Sequence, residues 1–378
     1  MAQASSTLFP SDQAAQHTTG ILPFQAIRQL ARVGDLRAAA EITDAQIQPA
    51  SVDLRLGEAA YRVRSSFLPG PNATVQQKLD QLGATRIDLT EGAILERGNV
   101  YIVPLQEHLQ LKSDISGLCN PKSSTGRLNI FTRVITDNAV EFERIRRGYR
   151  GPLYAEISPC AFSVVVRTGS RLNQLRLRRG APVASKAALE RLMDEAKLLD
   201  VEVDREALGK GSVPMSVDLS GENDNGLVGY RAKKHTDVID FDRIAHYPTD
   251  EYWERIYATS RRDLILDPDE FYILATREAV RVPPDFAAEM IPYDTAVGEF
   301  RVHYAGFFDP GFGWDLSTGG SRGVLEVRSH EVPFMLEHGQ TVALLRYERM
   351  AMRPDKLYGQ GIGSNYQNQG LKLAKQFA

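Results

Sequence analysis

Pro214-Met215-Ser216-Val217-Asp218-Leu219-Ser220 repeats the pattern of Pro49-Ala50-Ser51-Val52-Asp53-Leu54-Arg55 from the other half of the same 378-residue chain. In both stretches apolar and polar residues alternate, which is typical of a strand with one buried face. The repetition extends beyond these stretches, because four further landmarks recur at an offset of 170 or 171 residues. They are Leu95 and Leu266, Pro121 and Pro292, Glu156 and Glu326, and Gly169 and Gly339. The sequence therefore predicts a duplicated domain.

Short strands account for most of the remaining pattern. Many short apolar runs, separated by Gly, Pro, Asn or charged turns, predict a mainly β chain built as a barrel or sandwich. The runs of the first half are Gly98–Pro104, His108–Ile115, Leu128–Ile135, Leu153–Ile157, Phe162–Arg167 and Leu172–Leu177. Two short helices are expected, at Pro23–Val33 before Gly34 and at Ser185–Leu199.

The repeat divides the chain into five predicted segments. Two β domains, residues 20–182 and 212–350, are joined by a helical linker over residues 183–211. Residues 1–19, rich in Ser, Gln, Thr and Ala, are expected to form a flexible leader. Residues 351–378 are polar and glycine-rich without core-forming periodicity, so we expect them either to fray or to close over a ligand as an arm.

Composition restricts the classes of partner. A formal net charge of −3 argues against a nucleic-acid binder, since a phosphate backbone rewards a clear excess of cations. No apolar run approaches the length of a membrane span, so no membrane partner is expected. Cys119 and Cys160 cannot make a disulfide framework, and we therefore expect a protein of the reducing cytoplasm. An anionic partner must be met by a local cluster of cations, which suits a small phosphorylated molecule.

The best candidate for that cluster is Pro121-Lys122-Ser123-Ser124-Thr125-Gly126-Arg127. Hydroxyls and exposed backbone N–H groups bind phosphate oxygens, and arginine adds a planar fork of donors. In isolation such a stretch is more often an ordinary polar turn. The second copy has Asp294 and Thr295 opposite the two serines and Gly298 opposite the arginine, and an aspartate repels phosphate. Anion binding is therefore predicted for the first copy.

The second copy has kept a different part of a site. Tyr304–Gly313 has the pattern of a short apolar hairpin, where the first copy has the long charged segment Thr136–Arg147. Each copy has one glutamate on a later strand, Glu326 and Glu156, and either is a candidate base. For both glutamates the alternative is a buried carboxylate paired with an arginine, such as Arg328 for Glu326.

Four stretches of the chain resemble motifs of the dCTP deaminase and dUTPase superfamily. Lys122–Arg127 resembles its phosphate-binding motif, and Ile47–Gly57 resembles its first strand. Ala305–Phe312, followed by Val324-Leu325-Glu326, is similar to the deaminase's nucleoside-binding hairpin and catalytic strand. Tyr358–Gln369 is similar to the arm that closes over the nucleotide. The motifs occur in the same order, and the likeness covers nearly the whole chain from residue 20.

The resemblance is to the long form of the deaminase, and it implies two tandem dUTPase-like domains of the β-barrel or β-clip type. It also implies conversion of dCTP to dUTP and ammonia without zinc, which supplies dUTP for dTTP synthesis. Mg²⁺ would bridge phosphate oxygens of the substrate without a protein cage, so no protein ligand to a metal is expected. Because the superfamily forms trimers with sites between subunits, a homo-oligomer is expected, with a trimer favoured.

The resemblance also assigns roles to single residues. Glu326 would be the general acid and base, in an apolar pocket that raises its pKa, and Ser123 and Arg127 would contact the phosphates and orient the water. Glu156 is kept as a rival catalytic candidate. The expected nucleotide-binding residues are Lys122, Ser124, Gly126, Ala305, Asp309, Val324, Leu325, Tyr358, Tyr366 and Gln369. Two positions depart from the family pattern, Asn365 in place of a lysine and Tyr304 in place of a threonine.

Other functions remain open at this point. A dUTP pyrophosphatase, or an enzyme doing both steps, is the nearest alternative, since Gly148-Tyr149-Arg150-Gly151 is similar to a dUTPase turn. The tail lacks the dUTPase Gly-Phe-Gly-Ser element. A non-catalytic dNTP-binding regulator is the alternative of a different class. Zinc-dependent cytidine deamination is disfavoured, because the chain has neither the His-x-Glu nor the Pro-Cys-x-x-Cys element that this chemistry requires.

Overall fold

Strands dominate the computed structural model, which describes residues 17–209, 211–222, 224–292, 301–303, 306–314, 319–329, 331–360, 366 and 369–378. The strands of the first half are β1 (Gly20–Ile21), β2 (Leu36–Ala38), β3 (Val52–Leu54), β4 (Ala59–Val63), β5 (Thr85–Asp88), β6 (Ala93–Leu95), β7 (Val100–Gln110), β8 (Ile115–Pro121), β9 (Ile130–Thr136), β10 (Arg144–Ile145), β11 (Arg150–Pro159), β12 (Val164–Val166) and β13 (Asn173–Arg179).

The strands of the second half are β14 (Ser212–Ser216), β15 (Leu227–Ala232), β16 (Ile239–Asp240), β17 (Trp253–Tyr257), β18 (Asp263–Leu266), β19 (Tyr272–Val280), β20 (Phe286–Pro292), β21 (Arg301–His303), β22 (Phe307–Phe308), β23 (Ser321–Arg328), β24 (Phe334–Glu337) and β25 (Thr341–Arg349). The helices are α1 (Phe24–Val33), α2 (Val75–Leu82), α3 (Ser123–Arg127), α4 (Lys186–Ala196) and α5 (Thr249–Tyr252), with a 3-10 turn at Arg205–Ala207. The prediction of a mainly β chain is confirmed.

The two halves repeat one set of strand pairings. The order β5-β4-β7-β11-β9 in the first half corresponds to β17-β15-β19-β23-β21 in the second. The order β3-β13-β8-β10 corresponds in the same way to β14-β25-β20-β22. Equivalent strands keep the offset seen in the sequence, since β8 begins at Ile115 and β20 begins 171 residues later at Phe286. The repeated topology agrees with two tandem dUTPase-like domains.

Helix α1 forms where the sequence predicts it. Phe24, Ile27 and Leu30 are buried on one face, and Gly34 ends the helix in the left-handed conformation at φ 83°. Helix α4 begins after Ser185, whose side chain accepts a hydrogen bond from the Ala188 N–H.

The segment predicted as a linker, residues 183–211, is instead part of the second core. Leu189, Leu192 and Leu198 pack there with strand residues such as Met215. The apolar face of α4 needs a partner, and the second sheet provides one.

The first core draws residues from the first half, from the start of the second half and from the tail. Phe377, near the end of the sequence, packs against Phe162 of the first half and against Trp253 of the second, with ring centroids 6.4 and 5.7 Å apart. Leu373 and Ala374 are buried in the same cluster. This last stretch is therefore packed rather than frayed, and the first core includes residues from beyond position 182.

Corresponding segments of the two halves follow different paths after equivalent strands. In the second half, residues 233–252 cross to the first half, where β16 pairs in parallel with β12. In the first half, residues 64–84 fold back over their own sheet. There Val75 and Leu79 of α2 pack with Ile102 and Tyr154. The second half therefore pairs a strand with the first half, whereas the first half covers its own sheet with α2.

None of the helices in the described ranges combines the length and apolar character needed to cross a membrane.

Candidate active site

A cavity lies where the two halves meet, and its wall is built by both. The first half contributes Lys122, Ser123, Ser124 and Arg127. The second half and the tail contribute Phe307, Phe308, Asp309, Phe312, Val324, Glu326, Tyr358, Tyr366 and Gln369. A single chain thus brings together the loop of the first copy and the hairpin, glutamate and tail of the second.

The serine-rich stretch folds as the short helix α3 rather than as a plain turn. Its position is fixed at its start and at its middle, since the Lys122 N–H and the Thr125 hydroxyl both donate to the Leu172 carbonyl, at 2.8 Å each. The Thr125 side chain is fully buried, whereas Ser123 is exposed to the cavity. Of the hydroxyl side chains of α3, Ser123 is therefore the one that is open to a ligand.

Glu326 approaches α3 from the opposite wall. It lies on β23, opposite Ile273 of β19 and His303 of β21, and only 7% of it is exposed. Its carboxylate contacts the backbone of Gly126, and within the described residues its Oε2 atom has no hydrogen-bond partner. Burial raises the pKa of Glu326 well above its ordinary value, and the nearby Arg127 offsets this only in part.

Arg127 is a buried cation held by the tail. Its guanidinium donates to the Lys372 carbonyl at 2.8 Å and to Gln369 Oε1 at 2.9 Å. It also lies over the Tyr366 ring, 4.0 Å from the centroid. Gln369 in turn donates to the Arg322 carbonyl at 3.0 Å. The tail therefore fixes the arginine that faces Glu326.

Tyr366 connects the tail to α3 directly. Its hydroxyl lies 2.5 Å from Ser124 Oγ and accepts a hydrogen bond from the Lys375 N–H at 3.2 Å. Two of the nucleotide-binding candidates, Ser124 and Tyr366, are thus bonded to each other.

The hairpin at Phe307 and Phe308 depends on a residue that the sequence analysis missed. Arg176 of β13 is 1% exposed, and its guanidinium lies 4.0 Å from the Phe307 ring centroid. It donates to the carbonyls of Ala288 and Phe308, at 3.0 and 3.3 Å, and to Asp309 Oδ1 at 3.4 Å. Burial raises the pKa of Asp309 to about 6, and Arg176 opposes this shift.

The outer part of the cavity carries a group of cations, of which the sequence analysis named Lys122 but missed Arg171 and Lys375. Lys122 is ion-paired with Asp53, and Arg171 lies 3.7 Å from the same carboxylate. Lys375, from the last residues of the sequence, lines the cavity as well. The only sequence signal was the lysine or arginine itself, because nothing local shows that residues so far apart converge.

Glu156, the rival base, lies outside this cavity. Its carboxylate accepts from Arg133 at 2.6 and 3.1 Å, and it is 1% exposed. It stands opposite Ile102 on the sheet face that α2 covers. Of the two glutamates, Glu156 is therefore the one in the arrangement of a buried, arginine-paired carboxylate.

Leu325 does not line the cavity, because alternate residues of a strand face opposite sides and its side chain packs in the second core. Ala305 lies outside the described residues, as do Tyr304 and Asn365.

The region that the structure describes contains no group of three or more His, Cys, Asp or Glu side chains able to hold a metal ion.

Family comparisons agree with this architecture over both halves. The model of the 2'-deoxycytidine 5'-triphosphate deaminase N-terminal domain matches residues 18–181, and that of the C-terminal domain matches residues 185–377. This chain belongs to the dCTP deaminase family.

The likeness extends to a solved structure, the crystal structure of 2'-deoxycytidine 5'-triphosphate deaminase from Agrobacterium tumefaciens. The identity is 55% and the TM-score 0.85, over 90% of this chain and 100% of that one.

Curated relatives match a shorter stretch. The dCTP deaminase of Halorubrum lacusprofundi is 32% identical over 134 residues, covering 35% of this chain and 63% of the relative. The protein of Halobacterium salinarum named "dCTP deaminase, dUMP-forming" is 31% identical over 124 residues, covering 32% and 60%. The matched stretches thus span about three fifths of the length of these relatives.

Proposed function

We propose that the chain hydrolyses dCTP to dUTP and ammonia, with Glu326 as general acid and base and water as nucleophile. One observation carries the proposal: a buried carboxylate of one half faces the hydroxyl- and arginine-bearing helix α3 of the other, inside one cavity. Family membership supports the choice of substrate.

The chemistry needs a group that moves protons near neutral pH. Water adds to C4 of the pyrimidine, so that C4 carries both a hydroxyl and the amino group. Loss of ammonia then leaves the C4 carbonyl. Glu326 takes a proton from the attacking water and delivers one to the base, which a carboxyl with a raised pKa does more readily. The proposed mechanism uses no zinc.

The other cavity residues bind and orient the substrate in this proposal. Arg127 and Ser123 contact phosphate oxygens and orient the water, and the apolar hairpin at Phe307 and Phe308 encloses the base. Asp53 and Asp309 are both occupied by protein cations, so they are not available as a metal cage. Mg²⁺ bound by the triphosphate itself fits these residues, and it would neutralise part of the phosphate charge.

A matched pair of substitutions tests the assignment of the base. Glu326→Gln keeps size and polarity but removes the ionisable group, and we expect kcat for dCTP to fall by about 10² to 10⁴. Glu156→Gln is the control, with activity expected within a few fold of the unmodified protein. Loss of turnover in Glu156→Gln, with activity kept in Glu326→Gln, would reverse the assignment.

A bifunctional enzyme that also removes pyrophosphate is kept as the second candidate, because some relatives carry the name "dUMP-forming". Chromatography of the products separates the cases. We expect dUTP and ammonia to accumulate, whereas dUMP with pyrophosphate identifies the bifunctional enzyme or a dUTP pyrophosphatase. Tight binding of dCTP without turnover would identify a dNTP-binding regulator.

Assembly and location belong to the proposal as well. One chain completes a cavity between its two halves, so a partner subunit is not needed to bring α3 to Glu326. A homotrimer of such chains, working in the cytoplasm, remains our prediction, and light scattering of the purified protein tests the trimer.

A further inference from the structure

Lys375 has no role in the mechanism above, yet its side chain lines the same cavity. Its ammonium group lies 5.9 Å from the centroid of the Phe241 ring. Within the described residues, no carboxylate stands at ion-pair distance from it. A half-buried lysine without a counter-ion calls for a ligand that provides one.

The acidic groups near Lys375 are already committed to other cations. Asp53 is shared by Lys122 and Arg171. Asp242 accepts from the Arg167 guanidinium at 2.8 Å and from the Ser170 hydroxyl at 2.6 Å. The outer part of the cavity therefore has more cations than anions.

The backbone around Lys375 is held in place. Its N–H donates to the Tyr366 hydroxyl, and its carbonyl accepts from the Ala245 N–H at 2.9 Å. On either side, Ala374 and the fully buried Gln376 are packed, and Gln376 donates to the Phe241 carbonyl at 2.6 Å. The backbone that carries the Lys375 side chain is thus held in place, which reduces the conformational entropy lost when the ammonium binds a ligand.

Position along the cavity indicates which part of a nucleotide would meet this lysine. Lys122 precedes α3 and Arg127 ends it, so their backbones are separated by the length of the helix, about 7.5 Å at 1.5 Å per residue. Glu326 contacts the Gly126 end. Lys375 and Lys122 both line the cavity. Burial lowers the pKa of Lys375, and repulsion by Lys122 adds to that shift.

We propose that Lys375 binds the phosphate farthest from the sugar and so makes the site select nucleoside triphosphates over monophosphates. The inference rests on the proposed function, because it takes a cytosine deoxynucleotide as the ligand. It adds a specificity-determining cation that enters the cavity from the end of the sequence.

Steady-state kinetics with dCTP and dCMP test the proposal. Lys375→Met keeps the length of the side chain but removes the charge, and we expect KM for dCTP to rise tenfold or more with kcat changed less than threefold. We expect kcat/KM for dCMP to stay within twofold of the unmodified protein, so that the ratio of kcat/KM for dCTP to that for dCMP falls about tenfold. Lys375→Arg should restore most of this ratio. Lys112→Met, at an exposed lysine outside the cavity, is the control.

An unchanged KM for dCTP in Lys375→Met, or an equal loss with dCMP, would overturn the inference. Binding of inorganic tripolyphosphate, measured by calorimetry, gives a readout that does not depend on deamination. We expect Lys375→Met to weaken it tenfold or more. If the unmodified protein binds tripolyphosphate through Lys375 but does not release ammonia from dCTP, the proposed function fails while the inference stands.

Discussion

The carboxylate of Glu326 lies so close to Gly126 that a Cβ atom built on the glycine would stand 2.2 Å from Glu326 Oε2. The two residues come from different halves of the chain. Their contact is the point at which the duplicated domains form one site, and it makes position 126 a sensitive probe of that site.

Gly126→Ala should remove activity while leaving the fold intact. The added methyl group displaces the Glu326 carboxylate, and alanine is well tolerated in a helix such as α3. We expect kcat/KM for dCTP to fall at least 100-fold, with a melting temperature within a few degrees of the unmodified protein. Gly209→Ala is the matched control, because nothing lies within 4 Å of the Cβ position there. Full activity of Gly126→Ala would mean that Glu326 is not held against α3 during catalysis.

The pH profile should report the raised pKa of Glu326. In the free protein this carboxyl keeps its proton to a higher pH than an ordinary glutamate, so the base form is lost as pH falls through that raised pKa. We expect kcat/KM to decline on the acid side well above pH 4.5.

Asp309, whose pKa is about 6, is the competing source of such a decline. Asp309→Asn should therefore leave the acid limb in place, although it lowers activity through the hairpin. Disappearance of the limb in this variant would assign it to Asp309 and contradict the role given to Glu326.

Arg176 should matter more for stability than an arginine at the surface. Arg176→Met leaves Asp309 and Glu348 buried without their shared cation, which lies 3.4 and 3.7 Å from them. Breaking a buried pair in this way costs about 3 to 5 kcal/mol of unfolding free energy. Urea denaturation measures the loss, and KM for dCTP should rise because the hairpin loses its support.

Arg178→Met is the comparison for this substitution. Arg178 lies 3.7 Å from Glu348, but its side chain is 23% exposed, so the loss should be about 1 kcal/mol or less. Equal losses in the two variants would show that the hairpin contacts of Arg176 add nothing.

Each chain should bind one nucleotide. The face of the first sheet that bears Glu156 is covered by α2, and Arg133 already pairs with the carboxylate. The equivalent face of the second sheet, which bears Glu326, opens into the cavity.

Isothermal titration calorimetry of the Glu326→Gln variant with dCTP avoids turnover and gives the number of dCTP molecules bound per chain directly. We expect one dCTP per chain, and unchanged stoichiometry when Glu156→Gln is added. Two dCTP molecules per chain would show that the first copy has kept a site of its own.

Local sequence patterns predicted the duplication and the strands, because alternation and constant offsets survive in the sequence. Helix α2 was missed although its signals are present. Thr74 and Gln77 form a reciprocal capping box, and Val75 and Leu79 share a face. The sequence analysis assigned no element to this segment.

Contacts between residues that are far apart in the sequence could not be predicted from local patterns. Arg176 stands in a strand between Leu175 and Leu177, and nothing nearby shows that its partners are carbonyls more than 100 residues away. The burial of Leu373 and Phe377 is of the same kind, since the pocket that receives them is formed by other strands. By contrast, the family resemblance predicted that the Lys122–Arg127 stretch and Glu326 belong to one site.

The place of Phe377 in the first core sets an order of events during synthesis. The N-terminal half leaves the ribosome long before residue 377 is made, yet its hydrophobic interior lacks that ring, together with Trp253, until translation has passed both positions. The hydrophobic core of the nascent N-terminal half therefore stays incomplete until the rest of the polypeptide has been made. We therefore expect maturation of this chain to be a late, concerted step, and cutting the gene between its two repeats to yield fragments that lack parts of each other's interior.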